Sequence, residues 1–124
     1  MLTMTNYETG HTAEKVAAKY LEDKGYVIVA LNWRHVRAEI DIVAQKRAKF
    51  GLGKHPLVFF EVKHRKNTNQ GHGLDYITPK KLQQMRFAAQ LYVSNEKYSG
   101  EFHLGAIELT GEDYMITACL ESIL

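Results

Sequence analysis

Two carboxylates and a lysine interrupt apolar runs near the middle of this chain: Asp41 in Ala38-Glu39-Ile40-Asp41-Ile42-Val43-Ala44, and Glu61 with Lys63 in Leu57-Val58-Phe59-Phe60-Glu61-Val62-Lys63. Both runs have the length and the Ile, Val and Phe content of a strand, so a period of two fixes which side chains share a face. Strict alternation groups Glu39, Asp41 and Val43 against Ile40, Ile42 and Ala44 in the first run. In the second it groups Leu57, Phe59, Glu61 and Lys63 against Val58, Phe60 and Val62, the latter set reading as core. If the strands pair with their apolar faces together, Asp41, Glu61 and Lys63 converge on the opposite side.

Acid, acid and lysine on one sheet face suit the cutting of phosphodiester bonds. Carboxylate oxygens hold Mg²⁺ or Mn²⁺, and such an ion polarises phosphate and acidifies an attacking water. In that scheme Asp41 and Glu61 are ligands, the Val62 carbonyl is an extra oxygen ligand, and Lys63 orients the water or stabilises charge on the phosphorane. Without a cation the clustered acids would repel and one would resist ionisation. The ordinary account of an isolated E-x-K is a weak exposed ion pair on a solvated face. The joint pattern favours chemistry, because polar groups stand where both strands otherwise read as buried.

The elements that must position these groups follow from periodicity. From Ala13 to Lys24, apolar residues at Ala13, Val16, Ala17, Tyr20 and Leu21 mark one face of a helix, with Thr9 or Thr12 as cap and Gly25 as exit. Glu14 sits at the edge of that stripe, and by pattern alone is a first-turn acid favoured by the helix dipole. Tyr26 to Leu31 reads as a strand, Asn32 to Arg37 as a polar connection with Trp33 as a packing anchor, and Gln45 to Pro56 as a basic hairpin loop. Thr78-Pro79 opens a second helix carrying Leu82, Met85, Ala89 and Tyr92, which runs to about Ser94. Phe102 to Leu109 is a strand with Gly105 at a bulge or close contact, and Tyr114 to Leu120 is a strand or short helix. The order predicts an α/β fold, a mixed central β-sheet flanked by helices.

Across most of its length the chain resembles the YraN-like uncharacterised family of the PD-(D/E)xK nuclease superfamily, which is similar to Holliday junction resolvases. The matching stretches are Gly10 with Glu14, Ala17 and Tyr20-Leu21; Gly25-Tyr26; Asn32-Trp33-Arg34; Glu39-Ile40-Asp41; Phe60 through Arg65; and Lys81, Ala89 and Tyr92. The resemblance implies a restriction-endonuclease-like core and carries Asp41, Glu61 and Lys63 onto the catalytic positions. It also raises Glu14 to a fourth member near the metal and makes Lys81 a phosphate contact. Glu39, two residues before the aspartate, becomes a neighbour that shapes the site or pairs with a basic residue. Ala38 stands where the family has glycine, and Glu101-Phe102-His103 replaces its Arg-Phe-Asp.

With 124 residues, 45% hydrophobic and 24% charged, the chain is expected to form one domain spanning residues 1–124, with a core over about 7–118. A net charge of +2 neither demands nor excludes nucleic acid, so local charge decides. Lys46, Arg47, Lys49 and Lys54 in the hairpin loop, Arg65 and Lys66 after the second strand, and Lys80 and Lys81 at the second helix are the candidate nucleic-acid contacts. The single Cys119 cannot close an intramolecular disulfide, and the histidines lack zinc-ligand spacing. Met1 to Asn6 lacks the pattern of a secretory signal and no apolar stretch could span a bilayer, so the expectation is a cytoplasmic protein without a membrane partner. The leading function is a metal-dependent DNA endonuclease, with branched DNA in repair or recombination as its structure-selective form. The alternatives are a noncatalytic nucleic-acid-binding module, or a protein-interaction module acting as a homodimer or with a protein partner in DNA processing.

Overall fold

The computed structural model describes residues 6–47, 55–67 and 73–123. Helix α1 (Asn6–Asp23) leads into strands β1 (Tyr26–His35), β2 (Ala38–Lys46) and β3 (Leu57–Arg65); helix α2 (Pro79–Asn95) then precedes β4 (Phe102–Thr110) and β5 (Met115–Ile123). The strands form one five-stranded sheet in sequence order, with β3 and β4 parallel and the other neighbours antiparallel. A parallel pair needs a crossover, which α2 supplies. The α/β class and the mixed sheet expected from the sequence are observed, and they are compatible with a restriction-endonuclease-like core. No helix among the described residues is long and apolar enough to cross a membrane.

Both faces of the sheet carry a buried core. Ala13, Ala17, Ala18 and Leu21 of α1 pack on Ile42, Ala44, Val58, Phe60, Ile107 and Leu109, while Met85, Ala88, Ala89 and Tyr92 of α2 pack on Ile40, Val43, Leu57, Phe59 and Leu104. The second face therefore carries a core of its own, which the one-sided reading of β3 missed. Trp33 is the expected packing anchor, meeting the Tyr92 ring edge-on with centroids 5.3 Å apart. Gly105 is the expected close contact: a Cβ there would lie 2.7 Å from the Phe60 ring and 2.8 Å from the Leu120 carbonyl oxygen.

Several boundaries differ from the periodicity. α1 already runs from Asn6, so Thr9 and Thr12 lie within it rather than at its cap. β1 continues through Asn32 to His35, which leaves only Val36 and Arg37 as the turn. The C-terminal segment is a strand at the sheet edge. α2 begins as expected, with the Thr78 hydroxyl accepting from the Lys81 amide at 3.1 Å and Pro79 following it.

The alternation of β2 is not strict. Ile40 belongs to the α2-side core and Ile42 to the α1-side core, so the chain changes parity at Asp41. The cause lies across the ladder. Asn32, opposite Asp41 between the pairs Leu31–Ile42 and Trp33–Ile40, has φ +52°, a left-handed conformation that asparagine tolerates better than most residues.

A candidate metal and nucleic-acid site

The parity change puts Asp41 at a seam. β2 and β3 pair from Gln45–Leu57 to Ile42–Phe60 and no further, so Asp41 lies where the two strands part. There the Val62 amide, which has no β2 carbonyl to donate to, donates instead to Asp41 Oδ2 at 2.8 Å. A residue of an extended strand sends its N–H and C=O to the same side, so the Val62 carbonyl is directed toward the same gap.

Acids reach this gap from both layers. Glu14 comes from α1 and faces the side chains of Asn32 and Asp41, whose hydrogen-bonding favours its ionised form. Its Oε2 is buried and has no hydrogen-bond partner among the described residues. Glu61 projects toward α2, where its Oε1 takes an ion pair from Lys81 Nζ at 2.9 Å, both side chains being largely shielded. Burial first, then the charge of Glu61, pushes the Asp41 carboxyl up to about 8 despite the Val62 hydrogen bond, with Glu14 and Glu39 adding to the rise. Burial likewise raises Glu14, against the lowering by its Asn32 hydrogen bond. A crowded acid set with an orphaned buried oxygen suits a hard cation. As the side chains stand, Glu61 is engaged by Lys81, and among the described residues no group of three or more Asp, Glu, His or Cys side chains is arranged to hold a metal ion.

Lys63 is exposed beside the gap, its Nζ 5.9 Å from the centre of the Tyr76 ring. Behind it, β3 is anchored by a network that sequence reading did not find. Arg65 Nε donates to Glu108 Oε2 at 2.6 Å, its second nitrogen pairs with Asp75, and Glu108 Oε1 accepts from Thr117 Oγ1 at 2.8 Å. Arg65 is thus a correction: expected as a nucleic-acid contact, it is only 5% exposed, and its guanidinium is committed to the buried Glu108 and to the exposed Asp75. The signal was present in Glu108, an acid inside the apolar run Leu104 to Leu109. Asn32 and Tyr76 were also missed as neighbours of the site. The Tyr76 hydroxyl is buried without a hydrogen-bond partner among the described residues, and its ring lies under both Lys63 and Arg65.

The remaining basic candidates are divided. Lys80 and Lys81 line a groove of about 710 Å³ between the β1–β2 turn and α2, and Glu61 lines it too. Lys66 is exposed after β3. Lys46 and Arg47 lie at the opposite end of β2, roughly 16–20 Å along the strand from Asp41, and Lys46 pairs there with Glu121 at 3.5 Å. Lys49 and Lys54 lie outside the described residues. Glu39 pairs with Arg34 at 3.7 Å on the surface, as a neighbour of the site.

The profile of the Uncharacterised protein family UPF0102 matches residues 13–109, a span that holds Glu14, Asp41, Glu61, Lys63 and Lys81. A UPF0102 protein of Chlorobium phaeobacteroides (strain BS1) is 39% identical over 88 residues, covering 71% of this chain and 64% of the relative. One of Flavobacterium johnsoniae is 34% identical over 115 residues, covering 88% of each chain. Another, from Phocaeicola vulgatus, is 36% identical over 105 residues, covering 85% of this chain and 81% of the relative. The chain belongs to the UPF0102 family, the YraN-like family of the restriction-endonuclease-like superfamily.

Proposed function

We propose that this protein is a Mg²⁺- or Mn²⁺-dependent endonuclease that hydrolyses phosphodiester bonds in DNA. The observation that carries the reading is the placement of Asp41 in the gap between β2 and β3, tied to the Val62 amide at 2.8 Å and flanked by Glu14 and Glu61. Asp41, Glu61, Glu14 and the Val62 carbonyl would hold the cation. When bound, it supplies positive charge beside the scissile phosphate and neutralises acids that otherwise oppose one another's ionisation. Lys63 holds the attacking water or offsets charge developing on the phosphoryl oxygens. Lys81 neutralises Glu61 in the resting protein and is placed to exchange that carboxylate for a backbone phosphate. The Arg65–Glu108 pair fixes the end of β3 from behind and so sets the aim of Lys63.

The test is a panel of single-stranded, duplex, flap and four-way-junction DNA incubated with Mg²⁺ or Mn²⁺, with wild type beside Asp41→Ala and Lys63→Ala. Metal-dependent cleavage that disappears in both folded variants is the expected result. Full activity in either variant removes the assignment.

A second reading, a noncatalytic nucleic-acid-binding module on the same fold, is favoured by the Glu61–Lys81 ion pair, which satisfies Glu61 without any metal. It requires equal DNA affinity with and without EDTA, equal affinity in Asp41→Ala, and no cleavage of any DNA form.

A further inference from the structure

The groove that leads to Glu61 has walls of two kinds. Arg34 and Arg37 stand on the β1–β2 hairpin and Lys80 and Lys81 on the first turn of α2, so the cations lining it outnumber its carboxylates, Glu39 and Glu61. Between them stand two exposed apolar side chains, Val36 at 92% and Phe87 at 55% exposure.

Val36 has no folding rationale. It occupies the hairpin tip at φ +51°, a conformation that glycine or asparagine adopts with ease and a β-branched residue does not. It gains no burial in return. Backbone strain combined with an exposed apolar side chain, at the mouth of a basic groove, points to a contact outside the chain. Phe87 repeats the anomaly on the opposite wall, since the buried face of its helix is made by Met85, Ala88, Ala89 and Tyr92.

We infer that this groove binds an unpaired stretch of DNA: Arg34, Arg37, Lys80 and Lys81 hold its phosphates, Phe87 stacks on a base and Val36 wedges beside it. The inference rests on the nuclease reading and deepens it by naming the structural class of substrate. Positive walls complement a phosphate backbone. Intact duplex presents phosphates and groove edges to a protein, whereas exposed aromatic and aliphatic side chains find partners on unstacked bases. Because Glu61 lines the same groove, a strand held there passes the acid cluster. Branched or frayed DNA, which supplies an unpaired strand beside a duplex, is therefore the preferred substrate.

The experiment reads binding with EDTA present, by fluorescence anisotropy of a labelled oligothymidylate and of a blunt duplex of the same length. The single strand is expected to bind more tightly. Phe87→Ala should weaken single-strand binding roughly 5- to 150-fold and leave duplex binding unchanged. Lys80→Ala should weaken both and lower the salt dependence by about one phosphate contact. Val36→Gly separates contact from fold: removing the strained side chain should preserve or raise the Tm while lowering single-strand affinity. Unchanged single-strand affinity in both Phe87→Ala and Val36→Gly overturns the inference, as do preference for duplex, tighter binding of oligouridylate, or no DNA binding at all. Phe87-dependent single-strand binding without cleavage of any DNA removes the nuclease reading alone. Cleavage with single-strand binding that neither Phe87→Ala nor Val36→Gly weakens removes only this one.

Discussion

Asn32 stands opposite Asp41 in the β1–β2 ladder, and at this pair β2 changes which face its side chains present. The left-handed backbone of Asn32 thus does two jobs, turning the strand and presenting to Glu14 a side chain whose hydrogen-bonding favours the ionised acid. Asn32→Ala should destabilise the fold by about 1–3 kcal/mol, because alanine meets the steric cost of positive φ and loses the hydrogen bond. Asn32→Gly should cost less, and urea denaturation of the two variants checks the order.

In metal-free protein, Asp41 makes stability depend on pH. Its folded pKa of about 8 lies above the ordinary value of 3.8, so the native state keeps a proton that the unfolded chain releases between them. The favourable contribution is complete below the unfolded pKa and is lost as pH rises through the folded one. Asp41→Asn should flatten this decline and leave the variant more stable than wild type at alkaline pH, by on the order of 1 kcal/mol. Thermal melts in EDTA across the range test it, and a variant that declines as steeply as wild type contradicts the crowding of acids around Asp41.

Lys81→Gln removes the partner of Glu61. The pair retains some solvent exposure, so the stability change should stay within about 1 kcal/mol. Calorimetric titration should show tighter Mn²⁺ binding in the variant, since Glu61 no longer has a resident cation to surrender.

Glu108→Gln leaves the Arg65 guanidinium with one carboxylate instead of two and disturbs the Thr117 hydrogen bonds. Breaking a buried charge pair from one side is costly, and a fall in Tm of at least ~5 °C is expected. Cleavage should fall further than the folded fraction does, because Lys63 loses its support. Activity measured well below the melt separates the two effects.

Gly105→Ala pushes a methyl group into the Phe60 ring and the Leu120 carbonyl. The carbonyl is backbone and cannot rotate aside, so overpacking should destabilise by roughly 1–3 kcal/mol. Urea denaturation provides the measurement.

The class of fold was readable because its long elements have clean periodicity, as in Ala13, Ala17 and Leu21 on α1 or Met85, Ala89 and Tyr92 on α2. The placement of Ile40 and Ile42 was not, since one left-handed residue on a neighbouring strand undid the alternation of β2. The tail was ambiguous because β5 is an edge strand with no fully buried residue, and apolar Met115 and Leu120 stand exposed among its half-buried positions. Arg65 was misread for a different reason. Its partners lie 10 and 43 residues away, and a cation beside other cations looks solvated until the topology brings those acids to it. Glu108 carried the same kind of signal as Asp41, an acid inside an apolar strand, but no neighbouring lysine suggested chemistry. Ile107 and Leu109 around it read simply as core.

The parallel pairing of β3 with β4 bears on the order in which the charged groups of the site come together. Hairpins can bring β1, β2 and β3 together early, delivering Asp41 and Glu61 as a mutually repelling pair. Only when α2 has crossed the sheet do Lys81 and the groove wall arrive, and only when β4 docks does Glu108 seize Arg65. Local strands close faster than long connections. Under the nuclease reading, a partly folded chain therefore carries Asp41 and Glu61 before Lys81 and the groove wall are in place.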